Sequence, residues 1–469
     1  MGSVTQQNRR TPASSNATLN PDFSELEADA AQITGNARFA VNVLEKRPFF
    51  LESADLLETP LQFIHTRSIA APDAGARVTR RGESVEFTGW MVRDDGGGEL
   101  IIPGPFGSGT RPLDEPTDVG FGRLRLGLER FSAALDWSDR RGAAYRNSVA
   151  GADLAWQPGD SDRLSFQWLT SDTRDPSPLS ESSGGLRGAG WQAAWEHLSG
   201  RFDWALRDKQ IDRDFRADTG YVPAADVHES FAQLGVRLFD VGFLNELKPY
   251  VGLLRQTVLS NGELIERGIF PGFFFQGPRN LYGFVELHPD DAARAQAGAP
   301  LRSARLVRLD VTMNPWPAWP KLRVYGDVGR LLDFATDELR PGYQLTSEMR
   351  IRPTDRIELE TAVSRLRLED ADSRLAALRE GNESLTAIYY FSGSLNSRLQ
   401  WIHERTVRAE PVQSRTSRQT ATCVLTYRPG WRTQAFVGVS RTQGEDAGAR
   451  DAADNGWRYF LKWTRAFGG

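Results

Sequence analysis

Most of the chain alternates apolar and polar residues one by one, and this alternation restricts the fold more than any other feature of the sequence. Leucine occupies every second position in residues 124–128, and apolar residues do the same in residues 307–313 and 421–427. Successive side chains of a β-strand point to opposite faces, so a period of two predicts strands with one apolar and one polar face. Helical spacing is rare beyond residue 60. The sequence therefore predicts an all-β fold.

The connections between the predicted strands alternate in length. Short joints at residues 158–163, 199–201 and 353–356 are separated by long polar stretches such as residues 171–186 and 369–383. A soluble β-sandwich buries its apolar faces, whereas an outer-membrane barrel turns them to lipid and has tight turns at one rim and long loops at the other. The connections favour the second fold. We predict a large antiparallel transmembrane β-barrel of about 18–22 strands, with an even strand number.

One long stretch, residues 20–59, does not alternate. We interpret it as a plug or lumen segment inside the barrel. Residues 1–19 are rich in Ser, Thr, Asn and Gln, and we predict a flexible linker because few of their side chains can bury apolar surface. The barrel is assigned to residues 60–469, with the Gly- and Pro-rich residues 94–116 as an external loop.

Composition excludes several classes of protein. The formal charge of −4 offers no basic surplus for nucleic acid. Mean hydropathy is −0.45, and no apolar run reaches the roughly 18 residues of a membrane-spanning helix. Cys423 is the only cysteine, and the histidines show no metal-ligand spacing, so we expect no cofactor and no metal. The first residues lack the apolar core of a secretory signal, so we expect an exported protein to be a mature form or a fragment.

Three segments resemble a known family. They are NPDFSELEADAAQ from Asn20, EKRPFFLES from Glu45 and DFRADTGYVP from Asp214. From Asn20 to Phe467 the sequence resembles a bacterial family of unknown function, whose members look like outer-membrane β-barrels and commonly carry a family 9 carbohydrate-binding-like domain ahead of the barrel. That domain is absent from this chain, so the resemblance transfers no carbohydrate function. It implies a barrel in the bacterial outer membrane without an established activity.

The second of these segments carries the residues that we predict to dock the plug against the barrel wall, namely Glu45, Lys46, Arg47, Phe49 and Phe50. The two rings are expected to pack on the wall, and Arg47 to pair with a wall carboxylate. Acidic residues also cluster between Asp22 and Asp29. Carboxylates can hold Ca²⁺, but these lack the glycine-turn spacing of a calcium loop, so solvated acids or partners of lumen arginines are the preferred explanation.

The polar faces of the predicted strands carry charges of both signs. The residues predicted to line the lumen are Arg123, Arg125, Asp136, Asp203, Arg207, Arg237, Arg308, Asp310, Arg323, Asp327, Glu358 and Arg458. Rows of charges can select ions or solutes in a pore. They can equally form salt bridges that close the interior. The sequence leaves both arrangements open.

Two functions suit such a barrel. The first is a channel or transporter-like protein for an unknown small solute or glycan, with an external loop at residues 211–228 selecting what enters. The second is a non-conducting surface receptor or anchor for a carbohydrate-binding-like domain. A hydrolase acting on glycan or lipid is less favoured, because no G-x-S-x-G or P-loop motif occurs and catalytic groups from separate strands would have to converge. The expected partners are outer-membrane lipid and, because the aromatic last strand resembles an assembly signal, the barrel-assembly machinery.

Overall fold

The computed structural model describes residues 13–19, 32–96, 98–175, 185–430, 433–446 and 456–465. Within these residues, helix is limited to α1 (Pro48–Leu51) and to 3-10 turns at Ala54–Leu56 and Thr66–Ser68. None of the helices in this part of the chain is long and apolar enough to span a membrane. Strands account for nearly all other regular structure, which confirms the all-β prediction.

The strands run in chain order from β1 to β25. They are β1 (Ala13–Leu19), β2 (Pro72–Arg81), β3 (Val85–Asp94), β4 (Gly98–Ile102), β5 (Gly109–Leu113), β6 (Thr117–Gly127), β7 (Phe131–Arg141), β8 (Arg146–Trp156), β9 (Asp162–Arg174), β10 (Leu186–Leu198), β11 (Phe202–Ile211), β12 (Val227–Val236), β13 (Leu238–Val241), β14 (Leu244–Val258), β15 (Leu264–Gly277), β16 (Leu281–Ala293), β17 (Arg302–Met313), β18 (Lys321–Asp333), β19 (Glu338–Thr354), β20 (Ile357–Glu369), β21 (Ala376–Tyr390), β22 (Leu395–Arg408), β23 (Ser414–Gly430), β24 (Thr433–Asp446) and β25 (Gly456–Arg465).

The chain forms two compact units. Unit 1 comprises Met1–Glu27, Arg38–Gln233 and Leu254–Ile265, and unit 2 comprises Ala28–Ala37, Leu234–Leu253 and Glu266–Gly469. In unit 1 each strand pairs antiparallel with the next along the chain, except that β3 pairs with β6 past the separate hairpin of β4 and β5. In unit 2 the same antiparallel order runs from β15 to β25.

Twenty-three of the described strands belong to one antiparallel sheet. Two of them, β12 and β13, are separated only by Arg237, and both pair with β14, so they make one interrupted pass of the chain. Counted in this way, the described part of the sheet has 22 passes, an even number within the predicted range.

The strands have two different faces, as their alternation predicts. Large apolar side chains on one face are exposed, for example Leu135 at 63% and Leu399 at 53% of their surface. We call this the apolar face. The opposite face, which we call the second face, carries most of the charged and hydroxyl side chains and is much more buried.

Two predicted segments differ from the structure. Ala13–Leu19 is not a linker but the strand β1, paired with β2, so the irregular residues 32–71 lie between two strands of the sheet. Residues 1–12 and 20–31 lie outside the described part of the chain, and so do the acidic residues of that second stretch. The expected external loop at residues 94–116 contains the hairpin of β4 and β5, whose Leu100 and Leu113 are buried beside Tyr145. Short alternating strands such as these have no signal of their own in a glycine-rich stretch.

Candidate functional site

Two irregular segments, residues 38–71 and residues 212–226, fold onto the second face of unit 1. Phe50, Phe63 and Phe215 are fully buried between them and the strands. The strands contribute second-face residues such as Trp90 and Phe121 to this core. The second face of unit 1 is therefore partly apolar, and it is covered by the chain itself. Residues 211–228 were expected to be an external loop selecting a solute. Residues 215–220 are almost completely buried, so this connection folds inward onto the second face, and its role in selection stays a prediction.

Arg47 holds the first irregular segment together. It forms an ion pair with Glu45 at 2.7 Å and donates to the backbone oxygens of Ile69 at 2.6 Å and Thr66 at 2.5 Å. Its guanidinium also lies 4.5 Å from the centre of the Phe50 ring. The prediction that Arg47 pairs with a wall carboxylate is thus wrong. Its carboxylate partner, Glu45, belongs to the same segment and lies two residues before it. Lys46 between them is exposed.

Two aromatic rings of this segment contact the strands. The Phe50 ring lies 5.8 Å from that of Trp90 on β3, in an edge-on arrangement. Arg77 of β2 donates to the backbone oxygen of Phe49 at 2.9 Å. The Phe49 ring lies over Gly75, where a Cβ atom would stand 3.3 Å from it. Together, Phe49 and Phe50 fix the short helix α1 on the second face.

The two irregular segments are joined to each other by backbone hydrogen bonds. The His65 amide donates to the Thr219 carbonyl, and the Tyr221 amide donates to the Gln62 carbonyl, both at 2.7 Å. Gly220 lies between these bonds, and a Cβ atom there would stand 2.6 Å from the Gln62 oxygen. The close approach of the two segments therefore requires glycine at this position.

A network of buried charges lies beside this junction. Arg216 forms ion pairs with Asp218 at 2.7 Å and Asp175 at 3.0 Å. Tyr145 donates to the same Asp218, and Arg111 also pairs with Asp175 at 2.9 Å. Buried charges of this kind are tolerated because each has an opposite charge and further hydrogen bonds. The DFRADTGYVP segment thus supplies its own arginine and aspartate to fix an inward fold.

A cavity of about 380 Å³ lies between the segments and the hairpin of β4 and β5. Its lining includes the cationic Arg47 and Arg67, the acidic Glu99 and Asp218, and the rings of His65 and Tyr221. The two rings are 5.8 Å apart. Donors, acceptors and aromatic surface are thus offered together in a space large enough for a small polar molecule.

Burial shifts the pKa values of several of these groups. Burial lowers the pKa of His65; the charge of Glu45 partly opposes this, and the charge of Arg47 adds a still smaller lowering. Burial by itself would raise the pKa of Glu45, but its bonds to Arg47 and Thr66 outweigh this and hold that pKa below its usual value. Burial raises the pKa of Tyr145 well above the ordinary value, helped by the charge of Asp218. At neutral pH His65 is thus uncharged beside an ionised Glu45.

The predicted lumen residues lie in rows of ion pairs on the second face, apart from Arg237 between β12 and β13. The pairs are Arg123 with Asp136 and Asp153, Arg125 with Glu86, Arg207 with Glu229, Arg237 with Glu246, Arg308 with Asp327, Arg323 with Asp310, and Glu358 with Arg350 and Arg352; Asp203 and Arg458 share this face. They stabilise neighbouring strands and do not converge on one point. The structure gives them no common site.

In unit 2, residues 33–37 form a separate small junction. The backbone amides of Thr34 and Gly35 donate to the two oxygens of Glu380 at 2.9 and 2.6 Å. Arg408 donates to the Gly35 oxygen at 2.6 Å. Ile33 packs on a buried leucine cluster that includes Leu378. This stretch is therefore held by side chains of the strands and not by a β-ladder.

Chemistry beyond binding has little geometric support. Among the described residues, no group of three or more His, Cys, Asp or Glu side chains could hold a metal ion. Asp208, His228 and Ser230 meet on the strands β11 and β12, which resembles a hydrolase triad. However, the hydroxyl and the imidazole both bind the same carboxylate, and the Ser230 oxygen is 3.5 Å from the His228 Nε2 atom. That serine lacks the short contact with a base that a nucleophile needs.

Comparison with known proteins shows the fold. No family model and no curated protein matches the sequence. Among solved structures, a mutant of the ferric enterobactin receptor PfeA from Pseudomonas aeruginosa is similar at a TM-score of 0.51 and 11% identity, over 87% of this chain and 79% of that one. The copper transporter OprC is similar at a TM-score of 0.48 and 12% identity, over 78% of this chain and 71% of that one. The siderophore receptor PirA from Acinetobacter baumannii is similar at a TM-score of 0.46 and 9% identity, over 78% of this chain and 73% of that one.

The similarity to PfeA means that this chain has the fold of outer-membrane receptor barrels. At such low identity the likeness concerns the fold alone. The finer resemblance, to a family that carries a carbohydrate-binding-like domain, stays a prediction.

Sequence reasoning missed two parts of the interior. Asp218, Arg216 and Tyr145 come together only because residues 212–226 turn inward, and Glu380 meets Thr34 across more than three hundred residues. The available signal was local: the DFRADTGYVP stretch interrupts the alternation and contains residues that are unusual for an exposed loop, such as Phe215. For Glu380, whose strand alternates normally, no sequence signal existed.

Proposed function

We propose that the protein is a barrel of the bacterial outer membrane whose residues 32–71 act as a plug, and that it passes a small polar solute when this plug moves. The observation that carries the proposal is the cavity on the second face of unit 1, bounded by two segments that no β-ladder of the sheet holds in place. Segments fixed by side chains and a few backbone bonds can move without disrupting the strands, since local opening costs less where fewer contacts are made.

The lining of the cavity suggests the class of solute. Arg47 and Arg67 offer donors, Glu99 and Asp218 offer acceptors, and His65 and Tyr221 offer ring faces. A molecule with several hydroxyl groups, or one with charges of both signs, can satisfy such a lining, whereas an apolar molecule would displace water from these polar groups without replacing its hydrogen bonds. A small glycan or a zwitterion fits this description, and a large apolar compound does not.

A second role, as a non-conducting receptor or anchor, has support of its own. The buried pairs of Arg216, Asp218 and Asp175 lie where residues 212–226 cover the strands. Removing one member of such a pair is costly, so this segment is expected to remain in place when the first one moves. If it blocks passage, the cavity can bind a ligand at the surface without transporting it.

Single-channel conductance in a planar bilayer distinguishes the transporter from the non-conducting receptor or anchor. The full chain is compared with a variant in which residues 38–59 are replaced by Gly and Ser over the same length, which keeps the strand β1. We expect a closed full chain and a steady current from the variant. A current in both would show a pore that residues 38–59 do not block. Correct insertion without any current from either protein would overturn transport and favour the receptor.

A further inference from the structure

Four arginines lie on the apolar face of unit 2, close to the ends of β20, β21 and β22. They are Arg365, Arg367, Arg379 and Arg405. The exposed side chains of Leu385, Tyr389 and Leu399 share this face, since they occupy the same parity along their strands. Charged side chains among apolar ones on an exposed face need an explanation, because desolvating them is costly.

The strand registers place these arginines around one glycine. Gly381 is directly opposite Arg365 on one side and Arg405 on the other. One step further along the face, Arg367 lies directly opposite Arg379. Like charges in directly opposed positions destabilise a sheet. With Gly381 contributing no side chain, the arginines surround a depression of about 600 Å³.

Acidic neighbours neutralise only part of this charge. Glu383 pairs with Arg365, and Glu369 pairs with Arg367 at 2.7 Å. Within the described residues, the side chains of Arg379 and Arg405 have no ion-pair or hydrogen-bond partner. Glu380 also lines the depression, but its carboxylate binds the amides of Thr34 and Gly35, so no carboxylate pairs with Arg379 or Arg405. A bound anion would relieve the repulsion between the arginines and would supply the partner that Arg379 and Arg405 lack.

The position of the depression along the strands indicates what kind of anion fits. Arg365 lies eight residues after Ile357, the start of β20, and Arg405 ten residues after Leu395, the start of β22. At roughly 3.3 Å per residue and a tilt of about 40°, this is roughly 20–25 Å from the short turns, which matches the height of the apolar band of an outer-membrane barrel. The arginines thus lie at its far edge, where lipid headgroups begin.

We propose that this depression binds the phosphate of an anionic membrane lipid, whose acyl chains lie along the apolar face below it. The phosphate oxygens accept from Arg379 and Arg405, and the chains cover Leu385 and Leu399. Arginine suits this role because its planar group binds phosphate through two parallel hydrogen bonds. A free anion would use the arginines but not the apolar face. The inference rests on the proposed membrane position of this face and not on transport.

The test uses the full chain in phosphatidylcholine nanodiscs, with dioleoyl phosphatidic acid as the probe and native mass spectrometry to count the lipid retained at increasing probe concentration. Each of Arg379→Gln and Arg405→Gln is expected to weaken binding about five-fold, and the double variant about twenty-five-fold. Glu383→Gln, which removes a competing carboxylate, is expected to strengthen binding. Arg130→Gln, at a short turn where Arg130 pairs with Asp160, is the matched control and should have no effect.

The outcomes separate the alternatives. Unchanged retention in the double variant would overturn the site. Displacement of the lipid by an equal concentration of inorganic phosphate would show a site for a soluble anion and overturn the lipid. If the wild-type protein does not enter nanodiscs, the membrane position is overturned, and with it both the transport proposal and the lipid-binding proposal. If the protein inserts correctly but carries no current, only the transport proposal fails.

Discussion

Arg47 shows how one side chain can hold an irregular segment without secondary structure. It is 6% exposed and binds Glu45 together with the backbone oxygens of Thr66 and Ile69, so it connects three points of residues 45–69. Replacing it would leave the Glu45 carboxylate without its cation and the Ile69 carbonyl without this donor, whereas the Thr66 carbonyl keeps the Ile69 amide. Both consequences are more costly than the loss of the pair itself, since unsatisfied buried groups have lost their water.

We therefore expect Arg47→Gln to destabilise the docking of residues 45–69 by about 3 kcal/mol. Hydrogen exchange of the backbone amides in this segment, followed by mass spectrometry, measures that change. Arg81→Gln is the matched control, because Arg81 pairs with Asp55 of the same segment in an exposed position, where a pair contributes less than about 1 kcal/mol. Equal protection loss in the two variants would contradict the role assigned to Arg47.

The pH dependence of the same docking follows from two groups. The pKa of His65 is lowered by burial from an ordinary value of 6.5, and the pKa of Glu45 is lowered from 4.5 despite its burial. In both cases the group binds a proton more readily in the undocked state than in the docked state. Each group therefore stabilises docking at a pH above its ordinary pKa, and this stabilisation is lost as the pH falls. Docking should weaken in two stages, first below about pH 6.5 and again below about pH 4.5.

Amide exchange rates of residues 45–69, corrected for the intrinsic effect of pH, measure these stages. His65→Asn should abolish the first stage and leave the second, because the asparagine amide does not titrate in this range. A first stage that persists in the variant would assign it to another group.

At the scale of elements, residues 62–65 can pair with residues 219–221 only because position 220 carries no side chain. Gly220→Ala places a methyl group 2.6 Å from the Gln62 oxygen, so either the two hydrogen bonds or the local backbone must give way. We expect a cost of about 1–3 kcal/mol. Tryptophan fluorescence reports it, because Trp90 is buried beneath Phe50 in this core. Gly200→Ala, at a turn where nothing lies within 4 Å of the new methyl, should leave the spectrum unchanged.

The junction in unit 2 is a second element-scale case. Glu380→Gln keeps the size of the side chain but leaves one neutral oxygen for the amides of Thr34 and Gly35, so one of the two hydrogen bonds is lost and the other loses its charge. Limited proteolysis near residue 35 should become faster by about ten-fold, corresponding to about 1.4 kcal/mol. Glu360→Gln on β20, where the glutamate pairs with Arg350, is the control. No change in cleavage would mean that Ile33 and Arg408 suffice to hold this stretch.

The strands could be predicted from the sequence and the interior could not. The period of two in residues such as Leu124 and Val307 is a local property, because it follows from the direction of successive side chains. The burial of Asp218 is not local: it depends on Arg216, Tyr145 and Asn147 meeting through tertiary folding. Likewise, β1 has seven residues of weak β-propensity, and its strand conformation comes from pairing with β2, which no local pattern reveals.

At the scale of the whole molecule, the membrane position makes a prediction that does not depend on transport. Leu399 and Val407 lie on the apolar face of the same strand, β22, but Leu399 is only four residues from its start and therefore near the middle of the expected apolar band. An arginine there must reach through lipid to water, at a cost of about 2–4 kcal/mol, whereas an arginine at position 407 lies at the edge and costs less than about 1 kcal/mol.

The unfolding free energies of Leu399→Arg and Val407→Arg in lipid vesicles measure this difference. The comparison keeps the strand, the face and the introduced charge constant. Position 407 lies directly opposite Arg379 and Arg415, so repulsion adds to the cost of the second variant and makes the comparison a strict test of depth. If the apolar face contacts lipid, the first variant loses more stability than the second. Equal stability of both variants would mean that water or protein covers Leu399, and the membrane position would then have to be abandoned.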